Sequence, residues 1–262
     1  MNVLVACSNP IRIKDEYFIE SLGFILGDKV VVSEYLGSDD ARAKAAELNH
    51  YFEINAANIF DISGGDLANG VLDYLDYHVI TKSKSIFYGY SDLTTVLNAI
   101  YSQTKKQSWY YQLRFCSYYP EILENILNHD DHLEYEFVQG EKMAGIAIGG
   151  NIRCFLKLAG TRYMPDFTGH ILFMEAYSSN KYQVISMINQ LAQMGAFDKV
   201  EGLILGTFTK LDQSGDRDFL VTKIREFCSK PIATTQDIGH HQWSKGFAVG
   251  RYYQFDNNSI RD

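Results

Sequence analysis

Short apolar runs recur along this chain, and each closes on a small or polar turn before a stretch with helical spacing. Residues 2–7 (Asn-Val-Leu-Val-Ala-Cys), 29–35, 58–62 and 85–90 are such runs. Their β-branched and aromatic side chains predict strands, the first and fourth buried on both faces. Between them, residues 39–52 carry Ala43, Ala46, Leu48 and Tyr51 at helical spacing, with Ser38, Asp39 or Asp40 available as cap. A second helical pattern, Leu67, Val71, Leu72 and Leu75, follows the third strand. Strands alternating with helices predict a parallel sheet with helices on both faces, since a parallel connection needs a crossover. Ligands of such sheets sit beyond the carboxyl ends of the strands. Two turns belong at that edge, Ser63-Gly64-Gly65-Asp66 and Gly89-Tyr90-Ser91-Asp92.

The second of these turns joins an aromatic strand to Val96, Leu97, Ile100 and Tyr101 at helical spacing. Strand, sharp turn with a serine, then helix is the arrangement that lifts a hydroxyl above a sheet edge and aims backbone N–H groups at one spot. The same pattern equally suits a helix capped by Ser91, Asp92 or Thr94, and the second glycine of G-x-S-x-G is missing. The glycine pair at 64–65 serves either a close backbone approach to a ligand or a tight turn.

Residues 107–139 loosen into a tyrosine-rich stretch with Pro120, a short helix near 121–127 and the polar run 128–132. His129, Asp130 and His132 are assigned to a solvated turn, because they lack regular metal-ligand spacing. A new series follows: a strand at 143–148, the turn Gly149-Gly150-Asn151 with Asn151 capping a helix through Leu158, and a strand at 170–175 ending on Glu175. A helix over 181–194 closed by Gly195, a strand at 202–206, a helix over 217–228 and a strand at 231–234 lead to Asp237-Ile238-Gly239-His240-His241. The expected organisation is an N-terminal α/β domain (1–118), a connection (119–140) and a C-terminal α/β domain (141–262).

A net charge of −8 without a dense Lys/Arg cluster excludes nucleic acid and membrane surfaces as partners. No run approaches the roughly 20 apolar residues of a membrane span, and the first residues lack a secretory pattern, so a cytoplasmic protein is expected. Cys7, Cys116, Cys154 and Cys228 stand far apart in apolar contexts and predict buried free thiols. The first strand is not followed by G-x-G-x-x-G, which disfavours a dinucleotide, and no cofactor or metal is expected.

A serine hydroxyl attacks only when a base takes its proton, and the usual base is a histidine oriented by a carboxylate. Ser91, Glu175 and His240 each lie at or just after a strand end, where a scaffold can bring them to one cleft. Taken singly, Glu175 suits a salt bridge and His240 a loop.

Over nearly its whole length the sequence resembles the serine LD-carboxypeptidases (muramoyltetrapeptide carboxypeptidases), a family that includes the microcin C self-immunity peptidases. The resemblance is carried by Ser8-Asn9-Pro10, Ser63-Gly64-Gly65, Gly89-Tyr90-Ser91-Asp92-Leu93-Thr94, Gly149-Gly150-Asn151, Pro165-Asp166-Phe167, Ile171-Leu172-Phe173-Met174-Glu175 and Gly239-His240, in that order. It implies an N-terminal parallel-sheet three-layer domain with the serine, a smaller C-terminal α/β domain with the glutamate and histidine, and an active site between them. It also implies Ser91 as nucleophile, His240 rather than His241 as base, Glu175 as its orienting carboxylate, and backbone N–H groups of Gly65 and Asp92 as oxyanion hole. The implied reaction is release of terminal D-alanine from murein tetrapeptide through an acyl-enzyme. The alternatives are cleavage of aminoacyl-nucleotide conjugates, as by microcin immunity peptidases, and a catalytically silent binding protein on the same fold. The substrate is then a small peptide or peptide-nucleotide, and the family's frequent state is a homodimer.

Departures from the family pattern bear on recognition. Ser63 stands where the family commonly has an arginine, and Asp66 where it commonly has a tyrosine. Loss of that cation removes a partner for a substrate carboxylate. Asp66 and Trp109, and beyond them Trp243, are the candidate substrate contacts, the tryptophans by stacking.

Overall fold

A computed structural model describes residues 1–13 and 16–257. In chain order its strands are β1 (Asn2–Val5), β2 (Val30–Val32), β3 (Asn58–Asp61), β4 (Ile86–Gly89), β5 (Ser108–Tyr110), β6 (Glu136–Gln139), β7 (Lys142–Asn151), β8 (His170–Ala176), β9 (Gly202–Phe208), β10 (Ile232–Thr234), β11 (Phe247–Val249) and β12 (Tyr252–Asp256). They form two six-stranded sheets, ordered β11-β5-β4-β3-β1-β2 and β12-β7-β8-β9-β10-β6. Strands β1 to β5 pair in parallel, and so do β7 to β10. The edge strands β11, β12 and β6 are antiparallel to their neighbours. The architecture is the α/β class that the alternating pattern predicts. Continuous apolar runs mark the parallel strands because helices cover both their faces, and β1 and β9 are buried throughout.

Register aligns the carboxyl ends of the first sheet's strands. Val5 pairs with Asp61 and Phe60 with Tyr88, so β1, β3 and β4 end level with one another. The segments that follow them, Cys7-Ser8-Asn9, Ser63-Gly64-Gly65 and Tyr90-Ser91, therefore rise side by side. They are knitted together by Asp61, a fully buried carboxylate that accepts from the backbone N–H of Cys7 (2.6 Å) and from the N–H and hydroxyl of Ser63 (2.8 and 2.6 Å).

Three expectations are corrected. The strand expected at 143–148 continues through Asn151, with Gly150 opposite Met174 and Asn151 opposite Glu175. Helix Ala41–Glu53 is capped by Asp40, but it buries Lys44 and Ala45 while Ala46 is exposed, because Lys44 Nζ donates to the Ser8 carbonyl at 2.5 Å. The apolar spacing from Leu67 to Leu75 supports a 3-10 helix, Ala68–Tyr74, rather than an α-helix.

The halves are joined by matched polar contacts and by strand exchange. Helix Thr94–Thr104 presents Asn98, whose amide donates to the Gly149 carbonyl (2.7 Å) and accepts from the Gly149 N–H (2.9 Å). After the second sheet the chain returns to the first, where β11 pairs with β5. Tyr110, Phe173 and Phe247 then meet edge to face across the boundary, at 5.6 and 5.1 Å between ring centres. All four cysteines are buried and free. Among the described residues no helix is long and apolar enough to cross a membrane.

Candidate active site

Ser91 follows β4 directly and has φ of +55°, a left-handed conformation that a serine adopts only under constraint. Neither it nor Asp92 or Thr94 caps the helix with its side chain; the Thr94 hydroxyl instead donates to the Ser91 carbonyl (2.6 Å) and accepts from the Asn151 N–H (3.0 Å). The serine is thus held in a strained turn by a contact that spans both halves of the molecule.

Glu175 is wholly buried at the end of β8, and both its oxygens are engaged. Oε1 accepts from the Tyr110 hydroxyl (2.7 Å) and the Asn151 side-chain amide (2.9 Å), while Oε2 lies 2.7 Å from Nδ1 of His240. Burial, followed by the nearby Glu175 charge, pushes the Tyr110 hydroxyl well above its ordinary range, so it stays a donor to the carboxylate. The His240 ring lies between Tyr177, stacked at 4.7 Å, and Tyr90, tilted at 4.8 Å, and the Tyr90 hydroxyl donates to the Gly239 carbonyl. A side chain at Gly239 would overlap Thr207 Oγ1, so the turn before the histidine packs directly on the end of β9. His241 instead stacks on Trp243 at 4.8 Å.

Gly65, Asp66, Ser91, Asn151, Arg153, Tyr177 and His240 share a cavity of about 200 Å³. Gly65 has φ of +126°, and a Cβ there would run into the Asn9 side chain, whose Oδ1 accepts from the Asp66 N–H at 2.9 Å. Only glycine fits the turn that Asn9 braces. Asp92 sits beneath it, fully buried, and its carboxylate accepts from the Ser8 hydroxyl (2.7 Å), the Ala68 N–H (2.9 Å) and the Lys157 ammonium (2.5 Å). The side chain at 92 therefore fastens three segments, a role that the expectation of a backbone contribution alone overlooks.

The structure thus gathers Gly65, Asp66, Ser91 and His240 around one cavity, with Glu175 behind the histidine. Trp109 is not there: it lies on β5, only 3% exposed, packed with Leu4, Tyr88 and Leu123 in the interior, which leaves no free ring face for a ligand. Trp243 lies in a separate cleft with Glu121 and Lys245. Asp66 does line the cavity, but its carboxylate is taken by Arg153 Nη1 at 2.5 Å, which holds it below the usual carboxylate range. Arg153, Asn151, Tyr110, Tyr177 and Lys157 are absent from the sequence-derived site. The available signal was positional, since Asn151 and Arg153 follow a glycine pair at a parallel strand end and Tyr110 closes β5. No group of three or more His, Cys, Asp or Glu side chains suited to a metal occurs among the described residues.

Comparison with known proteins bears on the family and the fold. A family model described as the LD-carboxypeptidase N-terminal domain matches residues 3–111, and one described as the LD-carboxypeptidase C-terminal domain matches residues 144–255. The microcin C7 self-immunity protein MccF of Escherichia coli is 25% identical over 292 aligned positions, covering 93% of this chain and 85% of that protein. Among solved structures, an MccF-like protein from Bacillus anthracis superposes with a TM-score of 0.85 at 22% identity, covering 98% of this chain and 93% of its own. Muramoyltetrapeptide carboxypeptidase from Oxalobacter formigenes gives 0.80 at 20% identity, with 97% and 94% covered. The two structural likenesses speak to fold.

Proposed function

Because this chain belongs to the LD-carboxypeptidase family, we propose that it is a serine peptidase whose triad is Ser91, His240 and Glu175. The observation that carries the reading is that a strained serine and a carboxylate-bound imidazole line one small cavity. Ser91 Oγ attacks the amide carbonyl while Nε2 of His240 takes its proton; Glu175, accepting from Nδ1–H, keeps that tautomer and steadies the imidazolium. The N–H groups of Gly65 and Asp92 receive the oxyanion. Collapse of the tetrahedral intermediate expels the amine with the proton from His240, and water, activated by the same histidine, releases the acyl group. No cofactor or metal takes part in this scheme.

The substrate that fits best is a cytoplasmic murein tetrapeptide, cut between an L-configured diamino acid centre and terminal D-alanine. The microcin C7 self-immunity protein MccF, a relative solved in complex with aspartyl sulfamoyl adenosine, keeps an aminoacyl-nucleotide conjugate as the second substrate to be assayed beside it. Wild-type protein should react with a fluorophosphonate at Ser91 and release D-alanine from the tetrapeptide. Ser91→Ala should do neither while unfolding at the wild-type midpoint. Undiminished turnover by Ser91→Ala would refute the mechanism; labelling without turnover of either substrate would leave a fold with a reactive serine and another task.

A further inference from the structure

Resting on that reading, we infer that Arg153 is the anchor for the substrate's terminal carboxylate and makes this enzyme an exopeptidase. The segment before the glycine pair offers Ser63 and no cation. Arg153, from just beyond β7 in the other half, fills the gap: Nη1 binds Asp66 Oδ1 at 2.5 Å and Nη2 donates to the Gly65 carbonyl at 3.1 Å. It is the one lysine or arginine among the described residues that line the cavity. Lys157 is already committed, to the buried Asp92 carboxylate at 2.5 Å and the Asp66 carbonyl at 2.9 Å.

Position and valence both suit the role. When the bond to a terminal residue is cut, only one nitrogen and one α-carbon separate the scissile carbonyl from the free carboxylate. A carboxylate receptor must therefore sit within a residue's length of the oxyanion hole, and Arg153 touches the same residue, Gly65, whose N–H is assigned to it. A guanidinium carries five donors in a planar fork, and the two contacts described use two of them. Asp66, kept anionic by Arg153, in turn fixes the plane of the fork, so the arginine meets its ligand already oriented. Asp66 is then a positioning residue for the cation rather than a substrate contact.

The test compares N-acetyl-L-lysyl-D-alanine with its carboxamide, which lacks the one charge in question. Two readouts are taken: kcat/KM for each, and the protection each gives Ser91 against fluorophosphonate labelling, which needs no turnover. Wild type should favour the free acid by about 10- to 100-fold, the span expected for a charge-assisted contact. Arg153→Gln should bring the acid-to-amide ratio close to one in both readouts, each ratio being taken within the same variant, and Arg153→Lys should restore part of the preference. An acid-to-amide ratio unchanged in Arg153→Gln, or no preference in wild type by either readout, would overturn the anchor. Protection that favours the acid in wild type only, with no hydrolysis, would uphold the anchor and refute the proposed reaction instead.

Discussion

Asp92→Asn isolates what a single buried charge does beside Ser91, the proposed nucleophile. The carboxylate is 0% exposed and its partner Lys157 is 19% exposed, at 2.5 Å. An asparagine keeps the shape, and its oxygen can still accept from Ser8 and Ala68, now 2.7 and 2.9 Å from Oδ2. Its amide nitrogen then faces the Lys157 ammonium, donor against donor. Removing one member of a buried pair typically costs about 3–5 kcal/mol. Lys157 is partly hydrated and keeps the Asp66 carbonyl at 2.9 Å, so the loss should fall near 2–3 kcal/mol. At a slope of about 2–3 kcal/mol per molar in urea, the unfolding midpoint drops by about 1 M. The measurement is urea denaturation followed by fluorescence, with Lys157→Met added in a second variant. Removing both charges should return stability to within about 1 kcal/mol of wild type, because the stranded ammonium goes with them. An Asp92→Asn protein unfolding within about 0.2 M of wild type, or a double variant no better than the single, would refute the reasoning.

Gly239→Ala should lower kcat/KM by about a hundredfold with little change in overall fold, because the added methyl overlaps Thr207 Oγ1 and moves the His240 turn by about 1 Å. Activity within about threefold of wild type would show that the turn can yield without displacing the imidazole. His170 bonds the Tyr101 hydroxyl through Nε2 (2.8 Å) and the Thr168 carbonyl through Nδ1 (2.7 Å), and burial lowers its pKa from 6.5. The folded state then binds fewer protons than the unfolded one, so stability falls as pH drops from 6.5 towards the folded value; His170→Gln should flatten that fall, and equal slopes between pH 7.5 and 5 would count against it.

What the sequence discloses follows from how far a signal must reach. Strands β1, β4, β8 and β9 are legible because a strand covered on both faces must be apolar along its length, and the residue that breaks the run marks the strand's carboxyl end. Ser91, Glu175 and His240 each sit at or after a strand end, so local pattern places them there, while the family resemblance is what assigns them a common task. Strands β5 and β11 have three residues apiece, too few to show a period, and β11 returns to a sheet begun more than two hundred residues earlier. Lys44 defeats the helical pattern for a different reason: its ammonium finds the Ser8 carbonyl, and no periodicity encodes that. The cation of the site combines both difficulties. Ser63 and Asp66 leave their wall without a positive charge, and Arg153 brings one from 87 residues beyond Asp66, in the short helix that follows β7. Neither segment implies the other until register sets the end of β7 against β8 and Asn98 sets both against the helix that follows Ser91. A cation lacking on one wall of the cavity is thus brought to it from the opposite wall, which is the arrangement the proposed carboxylate anchor relies on.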